Sequence, residues 1–137
     1  MGTNYYFKPS RTEEITKFIQ SIPKAIMPLN ILESLDELLS IHIGKISGGW
    51  KPLFAKTKYY DDFKQLRRFY EDNKEDLVIV DEYGAKYDWK DFMLSFVYVN
   101  PVGKSHMDIE NFDANIIINR YYYEDIYGYE WSNFNFK

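Results

Sequence analysis

The 137-residue chain has no cysteine, which excludes disulfide bridges and thiolate metal sites. Histidine is almost as scarce. His42 and His106 lie far apart, with no His-x-x-x-His or Glu-x-x-His grouping, so neither a metal site nor a cofactor is expected. No apolar run approaches the roughly 18 residues of a membrane span. The first residues, Met1-Gly2-Thr3-Asn4-Tyr5-Tyr6, lack the basic and apolar regions of a signal peptide, so a soluble, unprocessed protein is expected. Seven glycines and five prolines are too few and too scattered to make a linker, and no low-complexity tract or internal repeat is evident.

Aromatic residues are abundant, at 19% of the chain and including 13 tyrosines, each a flat apolar body with a polar tip. Such side chains suit half-buried sheets and binding faces alike. The net charge is −4 and unevenly spread. Residues 1–58 carry eight basic and five acidic side chains, whereas residues 108–137 carry two basic and six acidic. The acidic end is therefore expected to meet a partner protein with a basic surface, and direct binding to nucleic acid is not expected.

Hydrophobic periodicity predicts a single α+β domain spanning 1–137, with a mainly antiparallel sheet and three to four amphipathic helices. Thr3 to Lys8 reads as a first strand. Ser10 and Glu13 form a capping-box pattern before a helix over 11–22, in which Ile15, Phe18, Ile19 and Ile22 follow at helical spacing. Asn30 and Glu33 repeat that signature before a second helix ending near Ser40. Ile41 to Lys45 and Trp50 to Phe54 predict a hairpin made permissive by Gly48 and Gly49. Tyr59, Phe63, Leu66 and Tyr70 mark one stripe of a third helix. Leu77 to Val80 predicts a strand, Asp81-Glu82-Tyr83-Gly84 a turn, and Ala85 to Tyr87 a short return. Asp88 caps a further helix with Trp89, Phe92, Met93, Phe96 and Val97 facing inward. A long strand is expected over 115–123, turned back at Gly128 into 129–136.

Chemistry is harder to find. Gly44-Lys45 with Ser47 lacks the spacing of a phosphate loop, because the strand resumes where a helix would have to begin. A weaker ligand reading remains, in which His42, Lys45, Ser47, Gly48, Gly49 and Trp50 hold a nucleotide phosphate and stack its base. No serine sits in a nucleophile elbow. The carboxylate pairs Asp61-Asp62, Asp81-Glu82 and Glu124-Asp125 read as caps and solvated turns, so no catalytic residue is assigned and no enzyme activity is expected. The segment Tyr121 to Trp131 mixes interface-favoured aromatics with acids. Its Tyr121, Tyr123, Glu124, Asp125, Tyr127, Glu130 and Trp131 form the candidate protein-contact set.

The order Met1-Gly2-Thr3-Asn4-Tyr5-Tyr6, His42-Ile43-Gly44-Lys45, Ser47-Gly48-Gly49-Trp50 and Asp81-Glu82-Tyr83-Gly84 resembles a group of small bacteriophage-encoded proteins, over about the first 90 residues. Many of those relatives look like carriers of a Cys-x-x-Cys pair between the first strand and the hairpin, suggestive of a zinc knuckle; this chain has two capped helices predicted there instead. The resemblance implies a phage accessory protein in the cytoplasm of an infected bacterium. By analogy, such a protein acts by occupying a host protein, a defence system of the anti-CRISPR or anti-restriction kind among the targets.

Overall fold

The computed structural model describes residues 2–26, 39–108 and 121–134. Strand β1 (Gly2–Pro9) runs into helix α1 (Thr12–Gln20), and β2 (Ile41–Ser47) and β3 (Leu53–Ala55) form the expected hairpin. Helix α2 (Phe63–Asn73) leads to β4 (Leu77–Asp81), β5 (Lys86–Tyr87) and helix α3 (Trp89–Phe92). The chain closes with β6 (Tyr122–Glu124) and β7 (Glu130–Ser132). The seven strands make one sheet in the order β5-β4-β1-β2-β3-β7-β6, antiparallel throughout except for the parallel β3–β7 pair. This is the α+β, mainly antiparallel architecture that the periodicity predicts.

Alternation along the strands sends Tyr5, Phe7, Ile43, Phe54, Ile79 and Trp131 into one core, where they meet Leu66 of α2 and Phe92, Phe96 and Val97. Asp62 caps α2, accepting the Gln65 N–H at 2.8 Å, and Asp88 caps α3 by the same device, accepting the Asp91 N–H at 2.7 Å. Past Phe92 the helix widens into a π turn over Met93–Val97, marked by Tyr98 N–H donating to the Met93 carbonyl. That winding stacks Phe92 on Phe96 with centroids 5.2 Å apart.

Two expectations for the N-terminal third are corrected. Ser10 does not close a capping box; its hydroxyl donates to the Glu75 carbonyl at 3.2 Å, and α1 has no side-chain cap. Of the predicted stripe, Ile15, Ile19 and Ile22 are half-buried but Phe18 is exposed, and no residue of α1 is fully buried. The second predicted helix and residues 115–120 of the predicted long strand lie outside the described residues.

Gly44 has a packing duty that no other residue could meet. A Cβ there would lie 2.3 Å from the Leu53 carbonyl oxygen and 2.8 Å from the Phe96 ring. Tyr5 faces Gly44 while Tyr6 faces His42, so Ile43 is an extra residue in β2, a bulge that turns its side chain into the core. By the pairing directions, β2, β4 and β6 all run the same way, which gathers the turns that follow them at one end of the sheet.

Candidate functional site

Two of those turns are built alike. In Asp81-Glu82-Tyr83-Gly84-Ala85, Asp81 Oδ1 accepts the N–H groups of Tyr83 and Ala85 at 2.9 and 3.0 Å, and Gly84 holds a φ of 91°. In Asp125-Ile126-Tyr127-Gly128-Tyr129, Asp125 Oδ1 accepts those of Tyr127 and Tyr129 at 2.9 and 3.0 Å, and Gly128 holds a φ of 85°. The shared Asp-x-Tyr-Gly string is a short repeat in the sequence, which corrects the expectation of no internal repeat. The aspartate satisfies backbone donors while glycine alone tolerates the left-handed position.

Each aspartate also reaches beyond its turn. Asp81 Oδ2 accepts the Tyr87 hydroxyl at 2.7 Å. Burial would raise Asp81, but the Tyr87 hydroxyl and the N–H groups of Ala85, Tyr83 and Gly84 outweigh it and hold the carboxyl below its ordinary range. Asp125 Oδ2 accepts the Phe63 N–H at the start of α2 and the Trp131 indole N–H, both at 2.9 Å. The same carboxylate thus fixes the turn, the helix and the central indole.

This arrangement corrects the predicted protein-contact set. Trp131 is 0% exposed, stacked on Phe54 at 5.0 Å and on Tyr123 at 6.2 Å. Glu130 is 1% exposed and accepts the Ser105 hydroxyl and, at 2.8 Å, the His106 N–H. Asp125 commits both oxygens internally, and Tyr123 is half-buried with its hydroxyl donating to the Asp61 carbonyl. Burial, and then the carboxylates of Asp61, Asp125 and Asp62, push the Tyr123 hydroxyl up. Exposed members are Tyr121, Glu124 and Tyr127. Only one of the three expected steering acids is therefore on the surface.

In the glycine hairpin the turn itself is exposed, but the side chains beside it are engaged within the fold. Trp50 N–H donates to the Ser47 carbonyl at 3.1 Å across Gly48 and Gly49, and Gly49 takes the φ of 80° that a type II turn asks of its third residue. Trp50 does not extend β3. It bridges Lys104, stacks on His106 with centroids 5.1 Å apart, and has Lys104 Nζ 4.8 Å from its ring centre. The Ser47 carbonyl also accepts from the Asn100 amide at 3.1 Å. On the adjoining strand face, His42 Nε2 lies 2.8 Å from Asn4 Oδ1, while the Asn4 N–H and amide donate to Glu82 at 2.8 and 3.3 Å. With its amide nitrogen donating, Asn4 presents an acceptor, so His42 donates from Nε2. Lys45 pairs with Asn4 in register on that face. Through Asn4, His42 is linked to the Glu82 carboxylate, and among the described lining residues it borders neither cavity described below.

Two surface features were not expected from the sequence. A cavity of about 200 Å³ opens between the β2–β3 turn, the 97–101 loop and the C-terminal hairpin, lined by Lys51, Pro52, Tyr98, Asn100, Gly128 and Glu130 among others. Apolar side chains are exposed on the 98–102 stretch and the C-terminal hairpin, with Val102 at 96% and Ile126 at 86%, accompanied by Tyr98, Val99 and Tyr127. The sequence signal was available in Val99-Asn100-Pro101-Val102-Gly103, apolar residues in a stretch that proline and glycine mark as a loop. A second, shallower groove of about 470 Å³ runs along α2.

Among the described residues, no group of three His, Cys, Asp or Glu side chains is placed to hold a metal. No described helix is long and apolar enough to cross a membrane. Comparison of the chain with protein-family models, with curated proteins and with solved structures finds no match.

Proposed function

We propose that the protein is a phage-encoded accessory factor that works by binding a host protein without catalysis, in the manner of an inhibitor of a bacterial defence system. The observation that supports the binding reading is the exposed apolar border of Tyr98, Val99, Val102 and Ile126 on the segments that line the 200 Å³ cavity. Such side chains gain by leaving water, and a neighbouring recess gives a partner's anchor somewhere to go. The phage assignment rests on the motif order alone. Tyr121, Glu124 and Tyr127 remain the exposed members of the contact set. A nucleotide sponge built on the glycine hairpin is less well supported, because the ring that would stack the base already stacks on His106.

The test is affinity capture from bacterial lysates by immobilised wild-type protein and by an Ile126→Asp/Val102→Asp variant. These positions are exposed, so the variant should melt within a few degrees of wild type. A protein retained by wild type and lost by the variant supports the reading. Identical retention by both removes this surface from the function.

A further inference from the structure

The groove along α2 is lined by Phe63, Lys64, Arg67, Arg68 and Glu71, with Tyr127 of the C-terminal hairpin. Its cations sit at helical positions i, i+3 and i+4 and so project from one face. None of the three has a carboxylate partner among the described residues, where the ion pairs are Arg11–Glu14 and Lys74–Glu71. The Glu71 charge at the groove's end is thus already countered by Lys74, at 3.1 Å. Arg67 lies 5.8 Å over the Trp89 ring, which restrains its guanidinium. Asp125 ties the hairpin to the first residue of α2, so Tyr127 and the cations keep a fixed relation. The result is a cationic strip with an aromatic rim on a chain whose net charge is −4.

We infer that this groove receives an acidic segment of a partner protein, with glutamates or aspartates spaced to meet Lys64, Arg67 and Arg68 and an apolar side chain set between Phe63 and Tyr127. Charge complementarity names an anion, and two further observations name its source. A long polyanion would feel the whole chain's negative charge, whereas a short acidic segment meets the local strip first. Three cations are also few for a nucleic-acid site, whose affinity grows with the number of phosphates neutralised. The contact rests on the protein-binding reading above and adds the partner's chemistry to it: the partner is locally acidic here, opposite in sign to the basic surface expected from the sequence.

The experiment uses the full chain and two fluorescein-labelled probes read by anisotropy. One is a peptide with glutamates at every third and fourth position around a central leucine; the other is an oligothymidylate of equal length. The wild type should bind the peptide more tightly than the oligothymidylate, with affinity falling as salt rises. The Lys64→Glu/Arg68→Glu variant, which leaves Arg67 on Trp89, should melt like wild type and bind the peptide at least about tenfold more weakly. Should that variant be unstable, Lys64→Gln/Arg68→Gln should still show a several-fold loss. Equal peptide binding by wild type and a folded variant overturns the inference, and so does tighter binding of the oligothymidylate. The Ile126→Asp/Val102→Asp variant separates the two claims, since it should keep the peptide while losing lysate capture. Capture that survives the α2 substitutions, with peptide binding unaltered by them, would leave the binding reading in place without this groove.

Discussion

The carboxylate of Asp125 accepts the indole N–H of Trp131 at 2.9 Å, six residues along the chain and across the hairpin. Its two oxygens also take the N–H groups of Phe63, Tyr127 and Tyr129. A surface-looking acid in the sequence is thereby a junction between the last hairpin, helix α2 and the core.

Replacing Asp125 by alanine should cost about 2–4 kcal/mol, the scale of leaving one or two partly buried donors unpaired. Asp125→Asn, which keeps one carbonyl oxygen, should lose less. Urea unfolding followed by tryptophan fluorescence checks both. A loss below about 0.5 kcal/mol for the alanine variant, the range of an ordinary surface site, would show the junction to be unimportant.

Gly44→Ala should destabilise by about 1–3 kcal/mol, the usual cost of forcing extra volume into a packed site. The new methyl would meet the Leu53 carbonyl and the Phe96 ring at distances that real Cβ atoms do not show. Gly48→Ala in the open turn is the control and should stay near wild type, because a Cβ there meets nothing. Equal melting temperatures for the two variants would contradict the packing account.

Stability should fall at both ends of the pH scale. The folded pKa of Asp81 lies below its unfolded value, so the stability it contributes is present above the unfolded value and lost as acid protonates the folded carboxylate. The loss should therefore begin as pH drops below about 4, and Tyr87→Phe should soften it by removing the hydroxyl donor. At alkaline pH the sign reverses. Burial raises the hydroxyls of Tyr60, Tyr87, Tyr123 and Tyr129, so their contribution is intact below the unfolded value and disappears as pH climbs above about 10. Absorbance of tyrosinate should show a late class of tyrosines whose ionisation appears together with unfolding. One smooth titration of all 13 tyrosines in the folded state would contradict this.

Legibility followed the physics of local pattern. The Asp62 and Asp88 caps, the β2–β3 hairpin, the turns at Gly84 and Gly128, and the inward stripe of Phe92, Phe96 and Val97 could be read because each depends on neighbours a few residues away. The same logic misplaced Ser10, which stands one residue before the helix's N-cap with its hydroxyl donating to the Glu75 carbonyl, and Phe18, which is exposed. The contact set was the hardest part. Asp125 and Glu130 carry interface-like chemistry, but Asp125 also accepts from Phe63, 62 positions away, and Glu130 from Ser105 and His106, 25 and 24 positions away.

By itself the sequence determined that this chain has no thiol chemistry, that helices α2 and α3 and two of the turns begin at particular aspartates, and that aromatics would dominate its interior. Those outcomes need only composition and short-range geometry. The tertiary structure alone decided which acids are spent inside, which apolar side chains stay wet, and that three cations of α2 stand beside Tyr127. Each of these depends on residues brought together across the sheet, where burial and pairing are fixed by the fold and not by spacing along the chain.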